Sequence, residues 1–183
     1  MPEHKRTLAA LLALLMLSAC QPAPEDTEIS GAVQGTTYHI KVVLPPGDTA
    51  VAPERLRQAI EERFADIDVK LSNYREDSEI SALNRQKTTD WLPVSRDIAG
   101  LMVIARQVHH KSEGCYDLTI KPLFDLWGFS RHQGKVPEQA DIDNLLPHIG
   151  LEKVEDDQAG SRLRKLDPAI KIDLSSIAQG YTV

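Results

Sequence analysis

The sequence predicts a mixed domain of helices and strands, of the α/β or α+β class. Two observations predict this class: segments rich in β-branched residues, and amphipathic segments whose apolar residues recur at helical spacing. The chain has 183 residues, of which 42% are hydrophobic and 26% charged, values typical of a globular domain rather than a disordered chain. Its net charge of -6 argues against a nucleic-acid-binding protein, which normally presents a basic face.

The first twenty residues are expected to be a targeting segment that does not belong to the fold. A charged start over residues 4–6 precedes an uninterrupted apolar stretch over residues 8–17. This stretch is too short to span a bilayer and has the length of a secretory signal. The segment ends in Leu-Ser-Ala-Cys, which resembles a bacterial lipobox. We predict a lipoprotein signal peptide over residues 1–19 and lipidation of Cys20; a plain signal peptide or a buried helix is the alternative.

Residues 20–33 are predicted to be a linker that begins at the lipidated Cys20. Residues 21–26 are polar and rich in proline, as expected of a tether that leaves a membrane. A diacylated cysteine would hold the protein on the membrane. We therefore expect it at the periplasmic face of a bacterial membrane, with the inner or outer membrane undecided.

The first half of the remaining chain predicts one strand and two long helices. A strand is expected over residues 35–44 because the segment is β-branched and partly alternating. A helix is expected from Pro53, with an apolar stripe formed by Leu56, Ile60, Phe64 and Ile67. One helical turn is expected from Ser78. A second long helix is expected from Ser95 to about Lys111, with the stripe Ile98, Leu101, Met102, Ala105 and Val108.

The second half predicts shorter elements. Residues 117–129 are expected to begin extended, and residues 137–148 to form a helix. Residues 151–173 read as short strands around polar turns, and a further helix is expected from Ser175. The sequence stops at Val183 inside this last helix and without a C-terminal cap, so we expect a truncated product or a fragment.

Four stretches carry residues suited to ligand binding. In the stretch Gln34–Tyr38, a glycine precedes two threonines at the start of a strand. Such a glycine allows a ligand to approach the backbone closely; the alternative is a β-bulge. In the stretch Leu71–Tyr74, the tyrosine lies on a polar loop, where its ring could stack on a planar ligand; the alternative is that it packs against its own loop. Gly114–Thr119 leads into an aromatic cluster that could wall a pocket or belong to the core. In Ile172–Tyr181, an aspartate and two serines at a helix start suit a polar ligand or form a plain cap.

Taken in order, the four stretches resemble the ApbE family of FAD:protein FMN transferases. The strongest blocks are LSNYREDSEIS, GCYDLTIKPLFDLWGF and KIDLSSIAQGY. The resemblance implies that residues 34–183 are the N-terminal part of an α/β domain similar to the tetrahydrobiopterin-type T-fold, with FAD in a cleft. It also implies that the chain lacks the C-terminal half of the family pattern.

The resemblance also implies a set of site residues. Those expected to contact FAD are Gln34, Tyr74, Cys115, Tyr116, Asp117 and Asp173, and Ser176 is expected to offer its backbone carbonyl to Mg²⁺. The remaining Mg²⁺ ligands and the catalytic residues are expected in the missing half. We therefore expect these 183 residues alone to be inactive.

The activity that the resemblance implies is Mg²⁺-dependent transfer of FMN from FAD to a Thr or Ser hydroxyl of a target flavoprotein, with release of AMP. Two alternatives remain open. One is a lipoprotein that binds FAD without transferring it, and the other is a Mg²⁺-dependent hydrolase that produces FMN and AMP. The expected partners are FAD, a target flavoprotein and, through the lipid anchor, a membrane; no nucleic acid is expected.

Overall fold

The computed structural model describes residues 25–44, 52–129, 136–157 and 161–183. The strands are β1 (Glu25–Val33), β2 (Thr36–Leu44), β3 (Leu92–Pro93), β4 (Val154–Asp156) and β5 (Arg162–Lys165). The helices are α1 (Pro53–Leu71), α2 (Glu79–Arg85), α3 (Arg96–Lys111), α4 (Lys121–Leu126), α5 (Gln139–Leu145) and α6 (Ser175–Thr182). The chain divides into two compact units, Met1–Ile60 and Glu61–Val183. The predicted signal peptide and Cys20 lie outside the described residues.

The first unit contains an antiparallel hairpin of β1 and β2, in which Val33 pairs with Thr36. Its two turn residues, Gln34 and Gly35, both have positive φ angles, 53° and 74°. Such a two-residue turn matches the right-handed twist of paired strands, and glycine adopts it without steric cost. The strand predicted over residues 35–44 is confirmed. The linker prediction is wrong for residues 25–33, because these residues form a strand that pairs with β2 along its whole length.

The second unit packs its helices and a small antiparallel sheet around one hydrophobic core. The sheet has the order β3-β5-β4. The fully buried residues of the core include Ile67, Ile80, Ile98, Leu101, Met102, Leu118, Leu151, Ile170, Ile172 and Leu174. The apolar stripe predicted for α3 is therefore buried, except at Val108, which is 40% exposed.

Side-chain caps fix the starts of α2 and α3. The Ser78 hydroxyl accepts a hydrogen bond from the Ser81 N–H at 3.1 Å. The Ser95 hydroxyl accepts one from the Ile98 N–H at 3.3 Å. Each cap satisfies one of the N–H groups that a helix leaves unpaired in its first turn. The helical turn from Ser78 and the helix from Ser95 to about Lys111 are thus confirmed.

The extended start predicted for residues 117–129 is wrong. A 3-10 turn covers Leu118–Ile120 and continues into α4. Pro122 stands in the first turn of α4, where a backbone N–H has no partner within the helix, so the proline does not interrupt it. The helix predicted over residues 137–148 is present as α5 followed by a 3-10 turn, Leu146–His148.

The helix predicted from Ser175 is confirmed as α6. The C-terminal end of α6 is bound to Asp97, which lies at the start of α3. The Tyr181 hydroxyl donates a hydrogen bond to Asp97 at 2.5 Å, and the Lys70 ammonium donates one at 2.7 Å. These two donors hold the pKa of Asp97 below its usual value, the Lys70 hydrogen bond being the larger cause.

Within the described part of the chain, no helix is long and apolar enough to cross a membrane.

Asp97→Asn is expected to lower the free energy of unfolding at pH 7 by about 1 kcal/mol. Because the pKa of Asp97 is depressed in the folded protein, its contribution is present above the unfolded pKa of about 4 and is lost as the pH falls below it. The difference between the two proteins should therefore shrink between pH 7 and about pH 3 in urea unfolding. An equal difference at both pH values would contradict this role. Tyr181→Phe is the control, since it removes one donor and keeps the carboxylate.

Candidate functional site

A sharp turn after α3 delivers the predicted site residues Cys115, Tyr116 and Asp117. Glu113 and Gly114 both have positive φ angles, 53° and 86°, so the chain reverses direction immediately after the helix. The Gly114 N–H donates to the carbonyl of His109 at 2.9 Å. Nδ1 of His109 lies 2.7 Å from the carbonyl oxygen of Tyr116, so this nitrogen carries the hydrogen and the ring fixes the Tyr116 backbone.

The Asp117 carboxylate stabilises the segment that follows this turn. Its Oδ1 accepts hydrogen bonds from the N–H of Thr119 at 2.7 Å and from the hydroxyl of Thr119 at 2.6 Å. Its Oδ2 accepts the N–H of Leu151 at 2.9 Å. The hydroxyl of Thr119, which is fully buried, accepts the N–H of Gly150 at 2.7 Å. Both carboxylate oxygens are thus bound within the protein, and the carboxylate joins residues 117–119 to residues 150–151.

Asp173 brings three distant segments together. Its N–H donates to the carbonyl of Leu118 at 2.7 Å. Its Oδ1 accepts hydrogen bonds from Nδ2 of Asn73 at 2.9 Å and from the N–H of Ser175 at 2.8 Å. Asp173 is only 6% exposed, and it forms no ion pair with any residue that the structure describes. A buried carboxylate without a cationic partner is costly, which marks this position as a candidate binding site.

The backbone on either side of Asp173 is fixed separately. The side-chain amide of Asn84 donates to the carbonyl of Ile172 at 2.8 Å and accepts the Ile172 N–H at 2.7 Å. The buried ammonium of Lys165 donates to the carbonyls of Gln86 and, at 3.3 Å, Ile170. Burial lowers the pKa of Lys165. These contacts place residues 170–172 without help from the Asp173 side chain.

The loop that carries Tyr74 is held by serines. The carbonyl of Ser72 accepts hydrogen bonds from the hydroxyls of Ser78 at 2.6 Å and Ser81 at 3.4 Å. Because the backbone is anchored at Ser72, Asn73 can turn inward to Asp173 while Tyr74 points outward. Tyr74 is 66% exposed, so its ring is available to stack on a planar ligand.

Ser176 stands in the first turn of α6, beside the turn that follows α3. Its hydroxyl oxygen lies 3.1 Å from the hydroxyl oxygen of Tyr116. Ser176 also lines a cleft of about 430 Å³ between α3 and α6, whose other lining residues are Leu101, Ile104, Ile177, Gly180 and Tyr181. Tyr116 and Asp173 therefore lie beside the same end of α6.

One group of side chains has the composition of a metal site. Donor atoms of His109, Asp117 and Glu152 all lie within 4.8 Å of one another. However, both oxygens of Asp117 already accept hydrogen bonds, and Nδ1 of His109 is bonded to a carbonyl. These hydrogen bonds explain why His109 and Asp117 lie close together: both support the turn that follows α3.

The carbonyl expected from Ser176 is a hard oxygen donor of the type that Mg²⁺ prefers.

The structure brings together most of the predicted site residues. Asn73 links the Tyr74 loop to Asp173, Asp173 links to Leu118 beside Asp117, and Tyr116 links to Ser176. Cys115 is a free, exposed cysteine next to Tyr116. Gln34 belongs to the first compact unit, as a residue of the hairpin turn, and its role stays a prediction.

Sequence reasoning did not single out three polar residues that build this cluster: Asn73, Asn84 and Thr119. Asn73 binds residue 173, which is 100 positions away, and Asn84 binds residue 172, which is 88 positions away. No local pattern signals such a pairing. Thr119 follows Asp117 by two residues, and an aspartate followed by a threonine at this spacing is a recognisable cap of a helical turn.

A model of the ApbE family matches residues 34–183. The chain belongs to the ApbE family. It is 30% identical over 187 residues to a FAD:protein FMN transferase of Haemophilus influenzae, an alignment that covers 98% of this chain and 54% of the relative. It is 32% identical over 178 residues to a FAD:protein FMN transferase of Vibrio cholerae, an alignment that covers 96% of this chain and 52% of the relative. The chain thus spans about half the length of the curated relatives it matches.

Solved ApbE structures share the fold. The flavin transferase ApbE from Vibrio cholerae superposes with a TM-score of 0.81 at 30% identity, covering 87% of this chain and 51% of that chain. The flavinyl transferase ApbE from Pseudomonas stutzeri, in its apo form, gives a TM-score of 0.80 at 32% identity and the same coverage. The predicted mixed α/β fold, similar to that of the ApbE family, is confirmed.

Proposed function

We propose that this chain supplies the FAD-binding part of a flavin transferase, which moves FMN from FAD to a Thr or Ser hydroxyl of a target flavoprotein and releases AMP. The observation that supports this most is the convergence of the Tyr74 loop, the turn at Cys115–Asp117 and the buried Asp173. Membership of the ApbE family supports the choice of FAD as the ligand.

The chemistry of each residue suggests its contact with FAD. The carboxylate of Asp173 repels phosphate oxygens, so it suits the hydrogen-bond donors of FAD: sugar hydroxyls, an amino group or a ring N–H. The exposed ring of Tyr74 suits stacking on the isoalloxazine. Because the Asp117 carboxylate is bound within the protein, we expect Asp117 to contact FAD through its backbone. We expect Cys115, which is exposed, and the hydroxyl end of Tyr116 to contact FAD through their side chains.

A Mg²⁺ ion at the start of α6 would take the Ser176 carbonyl, a hard oxygen donor, as one ligand. One carbonyl is too few for the octahedral geometry of this ion, so the proposal requires further oxygen ligands. Bound Mg²⁺ would neutralise charge on the phosphate oxygens of FAD. The part of this chain is then to position FAD and its pyrophosphate.

The transfer balances without an oxidant or reductant. The hydroxyl oxygen of the acceptor forms a bond to the phosphorus on the FMN side of the pyrophosphate. The bond from that phosphorus to the bridging oxygen breaks, AMP leaves with the bridging oxygen, and the hydroxyl proton is released. Water as the acceptor would give free FMN and AMP, which is the hydrolase alternative.

We also propose that the protein is lipidated at Cys20 and lies at the periplasmic face of a bacterial membrane. The apolar leader over residues 8–17 and the lipobox-like ending support this proposal. Cys20→Ser should move the protein from the membrane fraction to the soluble periplasmic fraction. Unchanged membrane association would contradict the anchor.

The function is tested with a longer protein that contains residues 34–183 together with the further Mg²⁺ ligands that the proposal requires, incubated with FAD, Mg²⁺ and a flavoprotein domain with a threonine acceptor. The proposal predicts a mass increase of the domain by one FMN and release of one AMP. Free FMN with no modified domain would indicate the hydrolase. A change in flavin fluorescence without either product would indicate a binding protein, and no change at all would contradict FAD recognition.

A further inference from the structure

We infer that Asn73 is a positioning residue that orients the Asp173 carboxylate toward the ligand; this inference rests on the proposed function. Its Nδ2 donates to Oδ1 of Asp173 at 2.9 Å, and the same oxygen accepts the N–H of Ser175. Oδ2 of Asp173 accepts no hydrogen bond from any residue that the structure describes. Two donors thus hold one oxygen and leave the other for a donor group of the flavin nucleotide.

The other half of the Asn73 amide shows that this orientation has a cost. Its Oδ1 is buried and has no hydrogen-bond partner among the described residues. Rotating the amide by half a turn would place its oxygen against Oδ1 of Asp173 and would bury its two N–H groups without that acceptor. The contact with Asp173 therefore fixes the amide. Native proteins seldom leave a buried acceptor unpaired, and functional sites are where they do.

Asn73 is not needed to hold the backbone of Asp173. The Asp173 N–H is bound by the carbonyl of Leu118, and both polar backbone groups of Ile172 are bound by Asn84. Asn73 acts instead on the Asp173 side chain, whose direction it fixes together with the N–H of Ser175. Its removal should therefore change ligand binding more than folding.

Asn73→Leu tests this separation, because leucine has a similar size and neither donates nor leaves an unpaired acceptor. We expect a melting temperature that is unchanged or higher, and a Kd for FAD raised about tenfold, as for loss of a hydrogen bond to a charged group. Asn144→Leu, the same substitution at an exposed position of α5, is the control and should leave the Kd unchanged. Asn73→Ala serves as a second variant.

Two readouts distinguish positioning from a merely structural role. In the Asp173→Ala background, Asn73→Leu should have little further effect on FAD binding, since no carboxylate remains to be oriented. In the protein without FAD, scalar couplings of the Asp173 side chain should report one rotamer, and Asn73→Leu should produce averaging. A full effect in the Asp173→Ala background, an unchanged rotamer or a strongly lowered melting temperature would each overturn the inference.

Failure of the proposed function would look different. If the unmodified protein does not bind FAD, the proposed function fails and the inferred role of Asn73 fails with it. If the unmodified protein binds FAD and both Asn73 variants bind it equally well, only the inference about Asn73 is overturned.

Discussion

Asp117→Ala is expected to lower the free energy of unfolding by about 3 kcal/mol. The substitution removes the cap of the 3-10 turn and leaves the N–H of Leu151 and the hydroxyl of Thr119 without this acceptor. Leu151 and Thr119 are both fully buried, so water cannot replace the carboxylate without local opening. Urea unfolding of the two proteins measures the difference.

Asp141→Ala is the matched control for this prediction. Asp141 stands in the first turn of α5 and is exposed, so its removal should change the free energy of unfolding by less than about 0.5 kcal/mol. Asp117→Asn should give an intermediate loss, because an amide keeps only one of the two acceptor oxygens. Similar small effects of Asp117→Ala and Asp141→Ala would show that the carboxylate does not hold the turn.

Asp173→Asn is expected to raise the Kd for FAD by about tenfold to a hundredfold, the range for hydrogen bonds to a charged group. The amide keeps the size of the side chain and an oxygen that can accept the N–H of Ser175, so the start of α6 should remain folded. What is lost is the negative charge and one acceptor. Flavin fluorescence titration measures the affinity, and circular dichroism checks the fold.

The control for this second prediction is Asp167→Asn. Asp167 accepts hydrogen bonds from His148 and from the N–H of Ala169, and its pKa is lowered chiefly by His148. The substitution Asp167→Asn should therefore change the stability of the protein but not its affinity for FAD. An affinity that Asp173→Asn leaves unchanged, with the fold intact, would remove Asp173 from the site.

The helices of this protein were predictable because their signals are local. The stripe of α3, the caps Ser78 and Ser95, and the helix from Ser175 all depend on residues within a few positions of one another. The wrong predictions concern β1 and α4. The pairing of β1 with β2 is a contact between strands, and α4 depends on the cap at Asp117 and on the tolerance of a first helical turn for Pro122.

The candidate site could be predicted as a set of segments but not as a set of contacts. The ApbE-like blocks predicted Tyr74, Tyr116, Asp117 and Asp173, and the structure places their segments together. The roles of Asn73 and Asn84 required coordinates, since each pairs with a residue far along the chain. The structure adds that both carboxylate oxygens of Asp117 already accept hydrogen bonds within the protein, and the contact of this residue with FAD stays a prediction.

The central claim is that the Tyr74 loop, the turn at Cys115–Asp117 and the start of α6 at Asp173 form one binding site for FAD. Hydrogen exchange of the backbone amides, measured with and without saturating FAD, tests it most directly. The claim predicts slower exchange together at residues 73–75, 115–118 and 173–177, with α5 unaffected. Slower exchange at only one of these segments, or at α5 instead, would contradict it.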